Sequence, residues 1–143
     1  MAMAKLMSLR ATCLRKSAGC IIVKDFRVIS TGYSGSPPGM VHCIDEGTCE
    51  LDSLTGGCIR TQHAEANAIA WAARSGINVN GGIMYTTLSP CLACAKMIAM
   101  SGVNEVVYLE QYRNNEGNKY LNHSGVISRH AASVELYISD YTS

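Results

Sequence analysis

Two short stretches of this sequence hold residues whose types and spacing suit hydrolysis at a metal ion: His63-Ala64-Glu65, and Pro90-Cys91-Leu92-Ala93-Cys94. In a helix, residues three apart share a face, so Cys91 and Cys94 would meet on one turn. At a helix start, unsatisfied N–H groups lie near both sulfurs and favour thiolates. His63 can add a third, neutral donor. Three protein ligands with the fourth position open is the catalytic arrangement of zinc. Zinc lowers the pKa of bound water towards about 7, but two thiolate ligands weaken that effect, so a carboxylate relay is needed. Glu65 suits the relay: it can take a proton from the water and deliver it to the substrate and its leaving group.

The same residues have plainer readings. A Cys-x-x-Cys can be a redox pair, although no strand with an aromatic or Gly-Pro setting leads into this one. Cys58 could close a structural zinc site with the pair. A histidine at a helix start is commonly a cap or a surface residue. The two motifs together favour the catalytic reading.

The elements that must position these residues can be traced along the chain. Ala2 to about Lys16 carries Leu6, Leu9, Cys13 and Leu14 at helical spacing. Cys20–Val23 and Val28–Thr31, joined by a tight polar connection, predict a β-hairpin. Gly32 to Gly39 breaks regular structure. Residues 40–60 lack periodicity but hold His42, Cys43, Cys49 and Cys58, and metal ligands would pin such a long loop. His63 to Ser75 is Ala-rich and ends at Gly76, a natural C-cap. Gly82–Thr87 predicts a strand. Ser89-Pro90 predicts an N-cap and first helical residue, with the helix running to Met100 or Ser101. A strand over Val106–Leu109, a weak helix over Glu116–His123 and a last strand over Val134–Ile138 complete the series. The order predicts one α/β domain spanning 1–143: a three-layer α/β/α sandwich around a mixed sheet of five strands, with an antiparallel pair at its start.

Composition bounds the function classes. The chain has 143 residues, 48% apolar and 16% charged, with a formal charge of +1. This is the profile of a globular domain, without the concentrated basic footprint that backbone-driven nucleic-acid binding wants. No run of eighteen apolar residues and no signal-peptide block is present, so no membrane span is expected and the cytoplasm is the default compartment. Seven cysteines without a secretory signal suggest metal binding or catalysis rather than bridges.

From about Ala11 to Val126 the sequence resembles the cytidine deaminase superfamily, and within it the deoxycytidylate deaminases. The resemblance is carried by Thr12–Gly19, Gly32-Tyr-Ser-Gly-Ser-Pro-Pro-Gly39, Thr61–Ile69 and Leu88–Lys96. His-Ala-Glu with Pro-Cys-x-x-Cys marks the superfamily; the Gly-Tyr loop and the Cys-rich stretch narrow it to the branch. The resemblance implies a cytidine-deaminase-like fold and hydrolysis of dCMP to dUMP and ammonia, feeding thymidylate synthesis. It also implies a homohexamer activated by dCTP and inhibited by dTTP, each with Mg²⁺. Rival activities within the superfamily are deamination of another cytosine nucleoside or nucleotide, guanine or a tRNA adenosine. A rival outside catalysis is a zinc- or nucleotide-binding module. The family usually has Asn at Ser34, where it contributes to nucleotide binding, and Ala at Cys20, which reads here as a small buried hydrophobe.

On the family's chemistry the cytosine C4 would lie at the zinc, with Glu65 serving N3. Groups near Ala64 and Ser89 could read the ring edge, and Arg27, Arg60, Arg113 and Lys119 are candidates for the 5′-phosphate. Tyr33 and Tyr120 could stack or cap the pocket. The turn from Ser34 through Gly35 to Gly39 offers backbone N–H groups to a triphosphate or sugar. Some family members carry a second, structural zinc, and Cys13 and Cys43 fall where two of its ligands lie. Cys49 and Cys58 would complete a four-cysteine set, with His42 as an alternative ligand.

Overall fold

β-Branched and aliphatic residues at alternate positions build the centre of this protein, for which the computed structural model describes residues 1–131. The elements are α1 (Ala2–Ser8), β1 (Gly19–Lys24), β2 (Arg27–Tyr33), α2 (Cys43–Glu46), α3 (Ala64–Arg74), β3 (Ile83–Leu88), α4 (Leu92–Ser101), β4 (Glu105–Glu110), α5 (Glu116–His123) and β5 (Ile127–His130). The sheet runs β2-β1-β3-β4-β5. β1 is antiparallel to β2 and to β3, whereas β3, β4 and β5 are mutually parallel. The expected mixed sheet of five strands and its opening hairpin are therefore present. The strand expected over Val134–Ile138 lies outside the described residues.

Alternation along β1 separates two helical layers. The Gly19 side of the strand meets α1, close to Ala4 and Ser8. Cys20 and Ile22 point the other way, into a core with Ala64, Ala68, Met84, Ile98 and Leu121. That core joins the sheet to α3, α4 and α5, so the sheet is covered on both faces. Among the described residues no helix is long and apolar enough to cross a membrane.

Two glycines set the depth of the helices that matter for chemistry. A Cβ on Gly32 of β2 would lie 2.1 Å from the carbonyl oxygen of Ala64, so only glycine lets the start of α3 rest on the hairpin. A Cβ on Gly117 of α5 would lie 1.9 Å from the carbonyl oxygen of Pro90, so α5 presses directly on the segment leading into α4. Ser30 Oγ (2.7 Å to the Ala68 carbonyl) and Asn67 Nδ2 (2.9 Å to the Tyr33 carbonyl) add hydrogen bonds between β2 and α3.

The structure corrects three local expectations. α1 stops at Ser8 rather than continuing to Lys16, because tertiary bonds capture the backbone beyond it: Thr12 N–H donates to the Ser34 carbonyl and its own carbonyl accepts from Ile44 N–H. Leu6, Leu9 and Leu14, expected to line one helical face, are 64%, 81% and 52% exposed. The loop over 40–60 contains a short helix, α2, which ends at Gly47 with φ of +72°. Finally, α4 is capped by Cys91 and not by Ser89. The Ser89 hydroxyl is occupied elsewhere, accepting from Gln111 Nε2 and Tyr112 N–H, so it cannot serve the helix start.

Candidate active site

The two motifs meet where the carboxyl ends of the parallel strands open, the usual place for a ligand in such sheets. His63 is the N-cap residue of α3 and Cys91 that of α4, each with extended backbone. Their helices deliver them to one point. His63 Nδ1 lies 3.5 Å from the sulfur of Cys91 and 3.5 Å from that of Cys94. All three ligand atoms fall within 4.8 Å of one another. Cys91 Sγ also accepts from Cys94 N–H, so the sulfur itself caps α4.

Electrostatics prepares this triad for a cation. The Cys94 thiol and then His63 donate towards Cys91 and bring its pKa down to about 3, so Cys91 is a thiolate. The same contact with Cys91, reinforced by burial, raises Cys94. His63 is raised, chiefly by its bond to Cys91. One thiolate, one thiol and one imidazole in mutual contact form a donor set that suits zinc once the spare protons leave.

Glu65 lies on the first turn of α3 and is only 4% exposed. Burial pushes its carboxyl up to about 6, against the pull of the nearby His63. It lines, with His63, Ala64, Ser89 and Cys91, a cavity of about 270 Å³. A raised carboxyl beside three metal-type donors, in a cavity of this size, suits proton transfer to a small ring.

Other residues expected at a site divide clearly. Ala64, Ser89, Ser34 and Arg113 line this cavity. Ser34 lies in its wall as a structural tie: its hydroxyl donates to the Lys16 carbonyl (2.8 Å) and accepts from Ala18 N–H (3.0 Å). Tyr33 and Gly35 instead line a second cavity of about 470 Å³, walled by the turn through Gly39 and by His42, Trp71 and Arg74. Among the described residues, the linings of both cavities exclude Arg27, Arg60, Lys119 and Tyr120. Arg60 is paired with Glu50 (3.2 Å) and Glu46 (3.9 Å).

Sequence reasoning missed Arg15, Lys16 and Tyr112, all in the wall of the first cavity. Tyr112 stands edge-on to the His63 ring, with centroids 6.1 Å apart, and Arg113 stacks 5.2 Å from the Tyr112 ring centre. Their place directly after β4, at the carboxyl end of a parallel strand, was the available signal.

A second cluster lies beside the first. The sulfurs of Cys43, Cys49 and Cys58 fall within 4.8 Å of one another, with Cys43 and Cys58 3.5 Å apart. Cys13, expected in the same set, lies outside this converging trio; against the effect of burial, the backbone N–H groups of Lys16 and Arg15 lower its thiol pKa. His42 points elsewhere, its Nδ1 3.0 Å from Thr12 Oγ1. Cys13 and Cys58 also belong to the wall of the first cavity, so the cluster and the cavity share a boundary.

A family described as the cytidine and deoxycytidylate deaminase zinc-binding region matches residues 1–110. The chain is 44% identical over 113 residues to ComE operon protein 2 of Bacillus subtilis, covering 79% of this chain and 58% of that protein. It is 35% identical over 148 residues to the deoxycytidylate deaminase of Enterobacteria phage T4, covering 79% of this chain and 77% of that one. The structure of dCMP deaminase from cyanophage S-TIM5 in complex with dCMP and dUMP superimposes with a TM-score of 0.80 at 33% identity, covering 91% of this chain and 92% of that one. The chain thus spans little more than half the length of the Bacillus relative, and most of the two phage proteins.

Proposed function

Because the chain belongs to the cytidine and deoxycytidylate deaminase zinc-binding family, we propose that it hydrolyses dCMP to dUMP and ammonia. One observation carries the reading: His63, Cys91 and Cys94 present three converging donors, and His63 and Cys91 share a cavity wall with the buried carboxyl of Glu65. The similarity to phage proteins named as dCMP deaminases supports the nucleotide as substrate.

His63, Cys91 and Cys94 would hold the ion, and zinc bound there supplies an acidified water for attack on C4 of cytosine. Glu65 receives the proton of that water and gives it to N3; the second proton leaves with the C4 amino group as ammonia. A carboxyl raised to about 6 can both accept and release a proton near neutrality. Burial of Glu65 also keeps bulk water from short-circuiting the transfer. Both lone pairs of the Ser89 hydroxyl are taken by Gln111 and Tyr112, which leaves its hydrogen for an acceptor on the ring. Tyr112 walls the ring side of the cavity. Of the cations first considered for the phosphate, Arg113 is favoured, since it lines the cavity and has no acidic partner among the described residues.

The finer family expectations belong to the same proposal. Cys13, Cys43, Cys49 and Cys58 would hold a second, structural zinc; the three converging sulfurs of Cys43, Cys49 and Cys58, and the contact of His42 Nδ1 with Thr12 Oγ1, support that set over one with His42. The cavity at Tyr33 and Gly35 supports an effector site for dCTP or dTTP with Mg²⁺. Exposed Met3, Leu6 and Leu9 on and just after α1 support burial between copies, as in a homohexamer. The proposal extends to a cytoplasmic enzyme that supplies dUMP for thymidylate synthesis.

Ammonia release and ultraviolet change on dCMP, CMP, deoxycytidine, guanine and a tRNA anticodon stem, with and without dCTP, test the assignment. The proposal expects dCMP to be turned over best. A clear preference for deoxycytidine, guanine or the tRNA overturns it.

A further inference from the structure

Tyr112 and Arg113 hang over the cavity on the segment 111–115, which has neither helix nor strand bonds of its own. Arg113 has φ of +32°, a backbone region that residues with a side chain disfavour. Such a segment keeps its shape only if surrounding groups impose it.

A chain of side-chain amides does so. Gln111 Nε2 donates to Ser89 Oγ (2.9 Å) and to the Asn114 carbonyl (2.6 Å), with the Tyr112 carbonyl at 3.3 Å. Carbonyl oxygens only accept, so they fix which end of this amide is nitrogen. Its oxygen then faces Asn118, whose Nδ2 donates to it (3.2 Å) and to Asn115 Oδ1 (2.8 Å). The remaining oxygen of Asn118 accepts from Ser128 Oγ of β5 (2.8 Å). The bonds therefore run from β5 through α5 to the cavity wall at Ser89. Asn118 is 5% exposed and asparagine is a poor helix former, so helix propensity does not explain it in α5.

We infer that Asn118, acting through Gln111, is a positioning residue that holds Arg113 where it meets the substrate's 5′-phosphate, and so sets preference for nucleotide over nucleoside. This rests on the cavity being the cytidylate site proposed above. Asn118 touches no substrate; its effect reaches the phosphate only through the shape of segment 111–115.

The test is a double-mutant cycle on zinc-loaded protein, with KM and kcat measured on dCMP and on deoxycytidine. Asn118→Ala is expected to raise KM for dCMP about tenfold with kcat nearly unchanged, because a contact misplaced by a fraction of an ångström loses ground-state and transition-state binding alike. Deoxycytidine kcat/KM should stay within about twofold. In an Arg113→Gln background, Asn118→Ala should change dCMP kinetics no further. Ser128→Ala, at a half-buried position, perturbs the far end of the same chain and should shift dCMP KM in the same direction by less; it carries the test if Asn118→Ala does not fold. Equal losses on both substrates, or an Asn118 effect undiminished without Arg113, overturn the inference while leaving the activity standing. Wild-type protein that turns over neither compound overturns the proposed function, and this inference with it.

Discussion

Nδ1 of His63 lies 3.5 Å from the sulfur of Cys91, and each residue is the N-cap of its own helix. Neither position uses a Ser, Thr, Asp or Asn, the residues that cap best. His63 makes no side-chain cap bond at all. Two helix starts thus forgo their best caps and face each other with metal-type donors, a local cost that binding of an ion would offset. Cys94→Ser should leave this centre without tightly held zinc and abolish dCMP turnover, measured by metal content after gel filtration and by ammonia release.

Among the described residues, Glu65 is the one carboxylate buried beside that pair. Replacing it with Gln keeps the shape and removes the proton carrier, so the variant should fold, hold zinc and lose about 100- to 10,000-fold in kcat. Retained turnover would assign proton transfer to another group.

The same residue gives the metal-free protein a pH signature. Its folded carboxyl is raised from 4.5 to about 6 by burial. A raised acid favours the folded state while protonated, so its contribution is full below about pH 4.5 and is lost as pH rises through about 6. In metal-free protein, Glu65→Gln should therefore be more stable than wild type at pH 7 by about 2 kcal/mol, and equal to it near pH 4. Urea unfolding at the two pH values measures this. A difference that grows towards pH 4 would contradict the sign.

The second thiol cluster predicts two zinc ions per protomer. Cys58→Ser should reduce the count to one and lower Tm, because structural zinc contributes folding free energy directly. A wild-type count of one removes the structural site.

The chemistry was more legible in the sequence than the positions that shape it. His63, Glu65, Cys91 and Cys94 announce themselves by residue type and spacing, and the fold puts His63, Glu65 and Cys91 in one cavity wall with Cys94 converging on the same donors. The hairpin and the Ala-rich helix were readable because apolar period and capping are local properties. The end of α1 was not, since long-range bonds of Thr12 to Ser34 and Ile44 decide it. Ser89 looked like a cap by local rule, but Gln111, 22 positions on, claims its hydroxyl. β5 lacked a pattern because Ile127, Arg129 and His130 are all exposed. Arg60 fits a phosphate ligand by residue type alone, but the fold sets Glu46 and Glu50 beside it.

Arg113 separates nucleotide from nucleoside in this account. Arg113→Gln should lower kcat/KM for dCMP by about 10- to 100-fold, and by much less for deoxycytidine, whereas Arg27→Gln and Lys119→Gln should leave dCMP kinetics within about twofold. Steady-state kinetics on both substrates checks the ranking.

The most direct measurement follows dCMP through removal and return of the ion. Purified protein, stripped by a chelator and then restored with zinc, is mixed with dCMP while dUMP and ammonia are quantified. The account predicts no conversion when stripped, and one ammonia per dUMP once zinc is back. Folded, zinc-loaded protein that leaves dCMP unchanged would contradict it.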